Sequence, residues 1–84
     1  MKRGTQIIYV PRHANGDITH RDCEEGFIIS AGRTEGDYFC RYWSKYSPGE
    51  LRTKANSELT PGENLVVKDT HPQEEVDRLL ENLP

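Results

Sequence analysis

The sequence has few cysteines and no long apolar run. Two cysteines, Cys23 and Cys40, are too few for the multi-bridge framework of a secreted miniprotein. Lys2 and Arg3 precede only four consecutive apolar residues, Ile7–Val10, so a signal peptide is not expected. No apolar run approaches the roughly 20 residues that cross a bilayer. We therefore expect a cytoplasmic protein with reduced thiols and no membrane partner.

The chain is also shorter than most self-contained enzymes and less basic than a DNA-coating protein. Its 84 residues predict one domain, 1–84, and leave little chain for a self-contained enzyme, so no catalytic residues are assigned. A net charge of -3 argues against a DNA-coating protein. Residues 33–54 nevertheless carry five Lys or Arg against three acidic residues, whereas residues 55–84 carry two against seven. A local basic site in the middle of the chain remains open.

Short β-branched and aromatic runs between turn residues predict strands. The predicted strands are Thr5–Val10, Gly26–Gly32, Asp37–Tyr46, a weaker return strand Leu51–Ala55, and Glu63–Lys68. The stretch Ser57–Gly62 is interpreted as a loop. This pattern favours a mostly β fold, a small antiparallel SH3-like β barrel of about five strands over residues 5–68, followed by a C-terminal α-helix.

The end of the chain changes to a helical period. Four apolar residues fall at i, i+3, i+4 and i+7 and share one stripe: Val76, Leu79, Leu80 and Leu83. Thr70 and Gln73 fit a capping box, and Pro72 fits a first turn. The spacing predicts a helix over 70–83 whose stripe docks on the barrel, because so short a helix is marginal alone.

The connection His13–Gly26 is rich in polar side chains. His20 and Cys23 have the spacing of half a zinc site, which Cys40 with His13 or His71 would complete. The chain has no Cys-x-x-Cys pair, and the favoured interpretation is a loop whose Asp and His side chains bond their own backbone. No metal and no cofactor are assigned, and the zinc interpretation stays open.

Five of the seven aromatic residues lie between Tyr38 and Tyr46. The two-residue period of a strand separates Tyr38, Cys40, Tyr42, Ser44 and Tyr46 from Phe39, Arg41, Trp43 and Lys45. We expect aromatic side chains at the surface and a basic aromatic patch of Arg41, Trp43, Lys45 and Arg52 that anchors a partner or stacks nucleic-acid bases. The alternative is that Phe39 and Trp43 belong to the core.

The run Tyr9-Val-Pro-Arg-His-Ala-Asn-Gly-Asp-Ile-Thr-His-Arg-Asp-Cys-Glu-Glu-Gly26 resembles small uncharacterised proteins of bacteriophages and prophages. The aromatic stretch Phe39-Cys-Arg-Tyr-Trp43 and the strand Asn64-Leu-Val-Val67 continue the resemblance, which covers about residues 7–67. It implies an SH3-like fold and a phage origin but supplies no activity. Loop residues His13, Asp17, His20 and Cys23 match its motif by position.

Together these patterns predict a non-enzymatic binding module in the cytoplasm of a bacterial host, in contact with a host or phage protein. The predicted binding residues are His13, Asp17, His20, Arg41, Trp43, Lys45 and Arg52. The alternatives are a nucleic-acid-binding accessory protein and a zinc-stabilised interaction module. Exposed strand edges also leave homodimerisation open.

Overall fold

A five-stranded antiparallel sheet carries the fold. The computed structural model describes residues 1–52 and 58–84. Its elements are β1 (Gln6–Tyr9), β2 (Glu24–Ala31), β3 (Asp37–Tyr42), β4 (Glu58–Pro61), β5 (Leu65–Val67) and helix α1 (Gln73–Leu80), with 3-10 turns at Arg12–Ala14 and Gly62–Asn64. The predicted mostly β fold with a C-terminal helix is confirmed. The spatial order is β4-β3-β2-β1-β5, and no ladder joins β4 to β5 in the described residues, so the sheet is open there.

β3 ends at Tyr42 rather than at the predicted Tyr46, because Ser44 begins a turn. The Ser44 hydroxyl accepts hydrogen bonds from the backbone amides of Tyr46, at 3.2 Å, and Ser47, at 3.1 Å. Such local bonding by serine competes with a strand ladder. Tyr46 therefore lies in the turn and is 95% exposed.

The fourth strand differs from the predicted one. The interpretation of Ser57–Gly62 as a loop is wrong, because Glu58–Pro61 pairs with β3 as an edge strand. Proline is tolerated on such an edge, where its missing amide hydrogen is not needed by a neighbour. Of the predicted strand Leu51–Ala55, Leu51 forms a single bridge with Trp43, and residues 53–57 lie outside the described part of the chain.

Apolar side chains cover both faces of the sheet, as the two-residue period of the strands requires. One face carries a cluster, here called the inner cluster, of Ile7, Ile28, Cys40 and Tyr42, with Tyr9, Tyr38 and Leu65 packed against it. The opposite face carries Phe27, Ile29 and Trp43 under α1. A third cluster places Ile8, Val10 and Ala14 beneath the connection between β1 and β2.

Helix α1 covers the sheet with the predicted stripe. Val76 is fully buried, and the three leucines of the stripe pack partly buried against Phe27 and Trp43. The helix is shorter than the predicted 70–83, and the predicted capping box is wrong. Pro72 is the N-cap residue, while the Thr70 hydroxyl pairs with His71 Nδ1 at 3.0 Å.

A buried glutamine in β1 fixes the approach to α1. Gln6 is 1% exposed, and its Oε1 accepts hydrogen bonds from the amides of Thr70, at 3.1 Å, and His71, at 2.9 Å. Its Nε2 donates to the His71 carbonyl at 2.8 Å and to Gln73 Oε1 at 3.2 Å. One side chain thus links the first strand to the segment that precedes the helix, 64 or more residues later in the chain.

Arg3 holds the other end of the helix. Its guanidinium donates to the carbonyls of Leu80 and Leu83, each at 3.0 Å, and to that of Pro84 at 2.8 Å. The last carbonyls of a helix lack partners within it and carry partial negative charge, so a cation satisfies both needs. The same guanidinium reaches the carbonyl of Ile29 in β2, which links the helix end to the sheet.

We predict that Gln6→Leu lowers the free energy of unfolding by about 2–4 kcal/mol, because it leaves the partly buried amides of Thr70 and His71 without an acceptor. Denaturant unfolding monitored by tryptophan fluorescence measures this loss. Glu25→Leu, the same polar-to-leucine change at an exposed position of β2, is the control and should shift stability by less than about 0.5 kcal/mol. Equal stabilities for the two variants would contradict the anchoring role of Gln6.

We also predict that Val76→Asp costs about 3–5 kcal/mol, because it places a carboxylate without a partner between α1 and the sheet. Asn82→Asp introduces the same group at an exposed position and should be nearly neutral. Thermal unfolding distinguishes the two variants, and an unchanged melting temperature for Val76→Asp would show that the helix does not depend on this contact.

Candidate binding surface and a histidine cluster

The connection between β1 and β2 is a chain of tight turns. Backbone amides donate to carbonyls three residues earlier in four successive places: Ala14 to Pro11, Asp17 to Ala14, His20 to Asp17, and Cys23 to His20, all at 3.0–3.1 Å. Because each turn closes on its neighbour, residues 10–23 hold a defined shape at the surface. We call this segment the turn-rich loop.

Asp17 locks one of these turns with its side chain. Its Oδ1 accepts hydrogen bonds from the Thr19 hydroxyl at 2.6 Å and from the Thr19 amide at 2.9 Å. These two bonds, the hydroxyl first, hold the pKa of the Asp17 carboxyl below its usual value. The predicted loop, in which Asp and His side chains bond their own backbone, is therefore confirmed at this residue.

Two histidines of the loop meet one carboxylate. His13 Nε2 lies 2.6 Å from Asp22 Oδ2, and His20 Nδ1 lies 4.0 Å from the same oxygen. The imidazole rings are 5.3 Å apart, centre to centre, and nearly perpendicular. The hydrogen bond from His13 is the main reason that the pKa of Asp22 lies below its usual value. Asp22 was not among the predicted site residues.

The cysteines do not join this group. Cys40 is fully buried in the inner cluster. Cys23 lies with Ile8 and Val10 on the other face, where its thiol donates to the Asp17 carbonyl at 3.2 Å. The zinc set of His13, His20, Cys23 and Cys40 is therefore not assembled, because the sheet separates the two thiols. His71 is also elsewhere, stacked on Trp43 at 4.0 Å.

The predicted basic aromatic patch is divided between the interior and the surface. Arg41 and Trp43 are each 5% exposed, because they lie on the sheet face that α1 and His71 cover. This corrects their assignment to an exposed patch and confirms the alternative that Trp43 belongs to the core. Tyr42 is buried on the opposite face, where its hydroxyl pairs with Thr60 Oγ1 at 2.8 Å and burial raises its pKa.

Lys45 and Arg52 remain at the surface, and Lys45 lies beside the turn-rich loop. Lys45 Nζ donates to the Arg21 carbonyl at 2.5 Å, so the turn after β3 touches the loop directly. Arg52 pairs with Glu24 at 3.1 Å, at the point where the loop enters β2. Lys45 therefore shares a surface with the predicted loop residues, whereas Arg52 lies over the Tyr42 ring, 5.5 Å from its centre, on the face of the inner cluster. A cleft of about 270 Å³ lies beside Arg52.

Two buried donors on the helix-covered face lack partners. Arg41 Nε and Trp43 Nε1 make no hydrogen bond within residues 1–52 and 58–84. Burial lowers the pKa of the Arg41 guanidinium, which still carries its charge at neutral pH. No pocket described in the structure opens onto these atoms, so they contribute to the packing of the sheet rather than to its surface.

No model of a protein family, no curated protein and no solved structure matches the chain. In the two described stretches, no helix has the length and apolar character needed to cross a membrane.

We predict that Thr19→Val raises the pKa of Asp17 toward the ordinary 3.8, because the hydroxyl bond that lowers it is lost. A carboxyl with a lowered pKa in the folded state stabilises that state above its unfolded pKa, and this contribution disappears as the pH falls through the folded pKa. NMR titration of the Asp17 carboxyl measures the change, with Thr34→Val as the control. An unchanged Asp17 pKa in Thr19→Val would contradict the assigned cause.

Proposed function

We propose that this protein is a small non-enzymatic binding module of phage type that contacts a bacterial host or phage protein in the host cytoplasm. The contact surface consists of the turn-rich loop together with Lys45 and Arg52. The main support for this proposal is the hydrogen bond between Lys45 Nζ and the Arg21 carbonyl, because it joins the turn-rich loop to the turn that follows β3. Lys45 thereby places a cation beside the loop that carries the exposed His13 and Asp17.

The conformation of the loop supports a role in recognition. A binding loop that is ordered before it meets its partner loses less conformational entropy on association. The four successive turns and the two Asp17–Thr19 bonds provide this order without any partner. Loops held by a rigid scaffold are also where binding residues concentrate. The surface offers both signs of charge, which suits a protein partner with a mixed polar face.

The thiol chemistry supports a module without enzymatic activity. Burial, and then the negative charge of Asp17, raises the pKa of the Cys23 thiol. The thiol donates to a backbone carbonyl rather than to an imidazole. A cysteine nucleophile needs the opposite environment, a lowered pKa and a neighbouring base.

An SH3-like arrangement of the strands is part of the proposal. β1 pairs with both β2 and β5, so the first and last strands of the chain are neighbours in the sheet. The inner cluster draws side chains from β1, β2, β3 and β5 toward one side, as the interior of a coiled sheet would. The open edge between β4 and β5 in the described residues is the difference from a closed barrel.

A protein partner is favoured over nucleic acid by the burial of the rings. Stacking of bases requires exposed aromatic faces. Tyr42 is 2% exposed and Trp43 is 5% exposed, and the nearby exposed Tyr46 belongs to a turn without a second ring beside it in the described contacts. The cations of this surface therefore lack the platform that the nucleic-acid alternative requires.

Affinity capture from a bacterial host lysate, read by quantitative mass spectrometry, tests the proposal with three baits. The baits are the wild type, Lys45→Ala/Arg52→Ala, and Arg33→Ala/Lys68→Ala, which removes two positive charges at other exposed positions. We expect a protein that the wild type and the control retain and that the first variant loses by about tenfold or more, since hot-spot losses of 2 kcal/mol or more have this size.

Two results would contradict the proposal. The first is a captured protein retained equally by all three baits, which would place the contact surface elsewhere. The second is capture dominated by nucleic acid that disappears with added salt, which would favour the nucleic-acid alternative. Circular dichroism of the three purified baits shows whether a loss comes from unfolding.

A further inference from the structure

The cluster of His13, His20 and Asp22 has an arrangement that an ion pair alone does not explain. Asp22 Oδ2 accepts a hydrogen bond from His13, but His20 Nδ1 accepts one from the Asp22 amide at 3.0 Å. A ring nitrogen that accepts a hydrogen bond carries a lone pair and no proton. The His20 nitrogen and the Asp22 oxygen, 4.0 Å apart, are thus both electron-pair donors, and neither supplies a hydrogen to the other.

We propose that these three side chains bind a divalent transition-metal ion, Zn²⁺ in the first place, through His13 Nε2, His20 Nδ1 and one oxygen of Asp22. One ligand atom from each residue lies within 4.8 Å of the other two. Metal binding by these side chains does not require the proposed protein partner and takes place in the purified protein alone.

The distances from Asp22 to the two imidazoles fit a metal after small side-chain movements. With Zn–N and Zn–O bonds of about 2.0–2.2 Å, tetrahedral ligand atoms lie roughly 3.3 Å apart. The pair His13 and Asp22, at 2.6 Å, must open by about 0.7 Å, and the pair His20 and Asp22, at 4.0 Å, must close by about as much. The metal would take the place of the proton between His13 and Asp22 and would replace the amide as the partner of His20.

The backbone that carries the ligands is already fixed. The His20 amide donates to the Asp17 carbonyl, and the His20 carbonyl accepts from the Cys23 amide. Lys45 holds the carbonyl of Arg21, which lies between two of the ligands. Metal binding therefore requires little ordering of the loop, and in known metal sites hydrogen bonds of this kind orient the side chains that ligate the metal.

The ligand types and their exposure define the kind of site. Two imidazoles and one carboxylate suit zinc and related transition metals rather than Ca²⁺ or Mg²⁺, which prefer oxygen ligands. The side chains of His13 and Asp22 are 62% and 46% exposed, so the fourth position faces solvent. Water would complete the coordination in the isolated protein. The site therefore has three protein ligands and an open position, unlike a closed four-ligand structural site.

Competition titration with a chromophoric chelator on untagged protein measures Zn²⁺ affinity and stoichiometry. We expect one Zn²⁺ per wild-type chain, and weakening by more than about tenfold in His20→Gln and in Asp22→Asn, since even outer-shell changes cost 10–100-fold. Cys23→Ser is the matched control from the same loop and should bind as the wild type does. Circular dichroism of the metal-free variants reports whether each one folds.

A second measurement uses the wild type alone and does not depend on any variant. Addition of Zn²⁺ should shift the imidazole nitrogen signals of His13 and His20 in NMR spectra and leave those of His71 unchanged.

Substoichiometric binding in the wild type would overturn the proposal, and so would an affinity for Zn²⁺ in Asp22→Asn and His20→Gln equal to that of the wild type. Loss of binding in Cys23→Ser, with thiolate-to-metal charge transfer when Co²⁺ replaces Zn²⁺, would overturn this ligand set in favour of one that includes the thiol.

Discussion

The arrangement of the molecule depends on one buried amide. Gln6 points toward the face of the sheet that α1 covers, and each of its polar atoms is used by residues that lead into the helix. A buried amide without partners would cost free energy, so the strand and the distant segment must meet in one register. Hydrophobic contacts supply most of the attraction between α1 and the sheet, but they do not specify a register as strictly as four directed hydrogen bonds do.

The position of α1 determines which side chains of the sheet are buried and which segments form the surface. Because α1 and His71 cover the face of Trp43, the ring enters the core and packs edge-on against Phe27 at 5.7 Å. The chain after β3 turns at Ser44 and emerges beside the turn-rich loop, where Lys45 contacts Arg21. The proposed contact surface is therefore assembled from segments that leave the sheet, while the strands supply the support beneath it.

Local sequence patterns predicted most of the strands and the helix, but they did not predict how these elements pack together. The Val76 stripe and most strands follow from side-chain period, which neighbouring residues determine. The burial of Trp43 was one of two alternatives, and local patterns could not decide between them, because both faces of its strand are apolar and only the docked helix distinguishes them. The separation of Cys23 from Cys40 depends on the sheet. Asp22 reaches His13, nine residues earlier, only through the turns between them.

The turn-rich loop closes on its own backbone, and this has a consequence for how such a protein changes over generations. The hydrogen bonds that close the four successive turns of residues 10–23 join main-chain atoms, so they do not require a particular side chain at an exposed position. Substitutions at the tips of the turns then leave the scaffold intact. Proteins that share this loop can therefore retain its architecture while the side chains that it displays change.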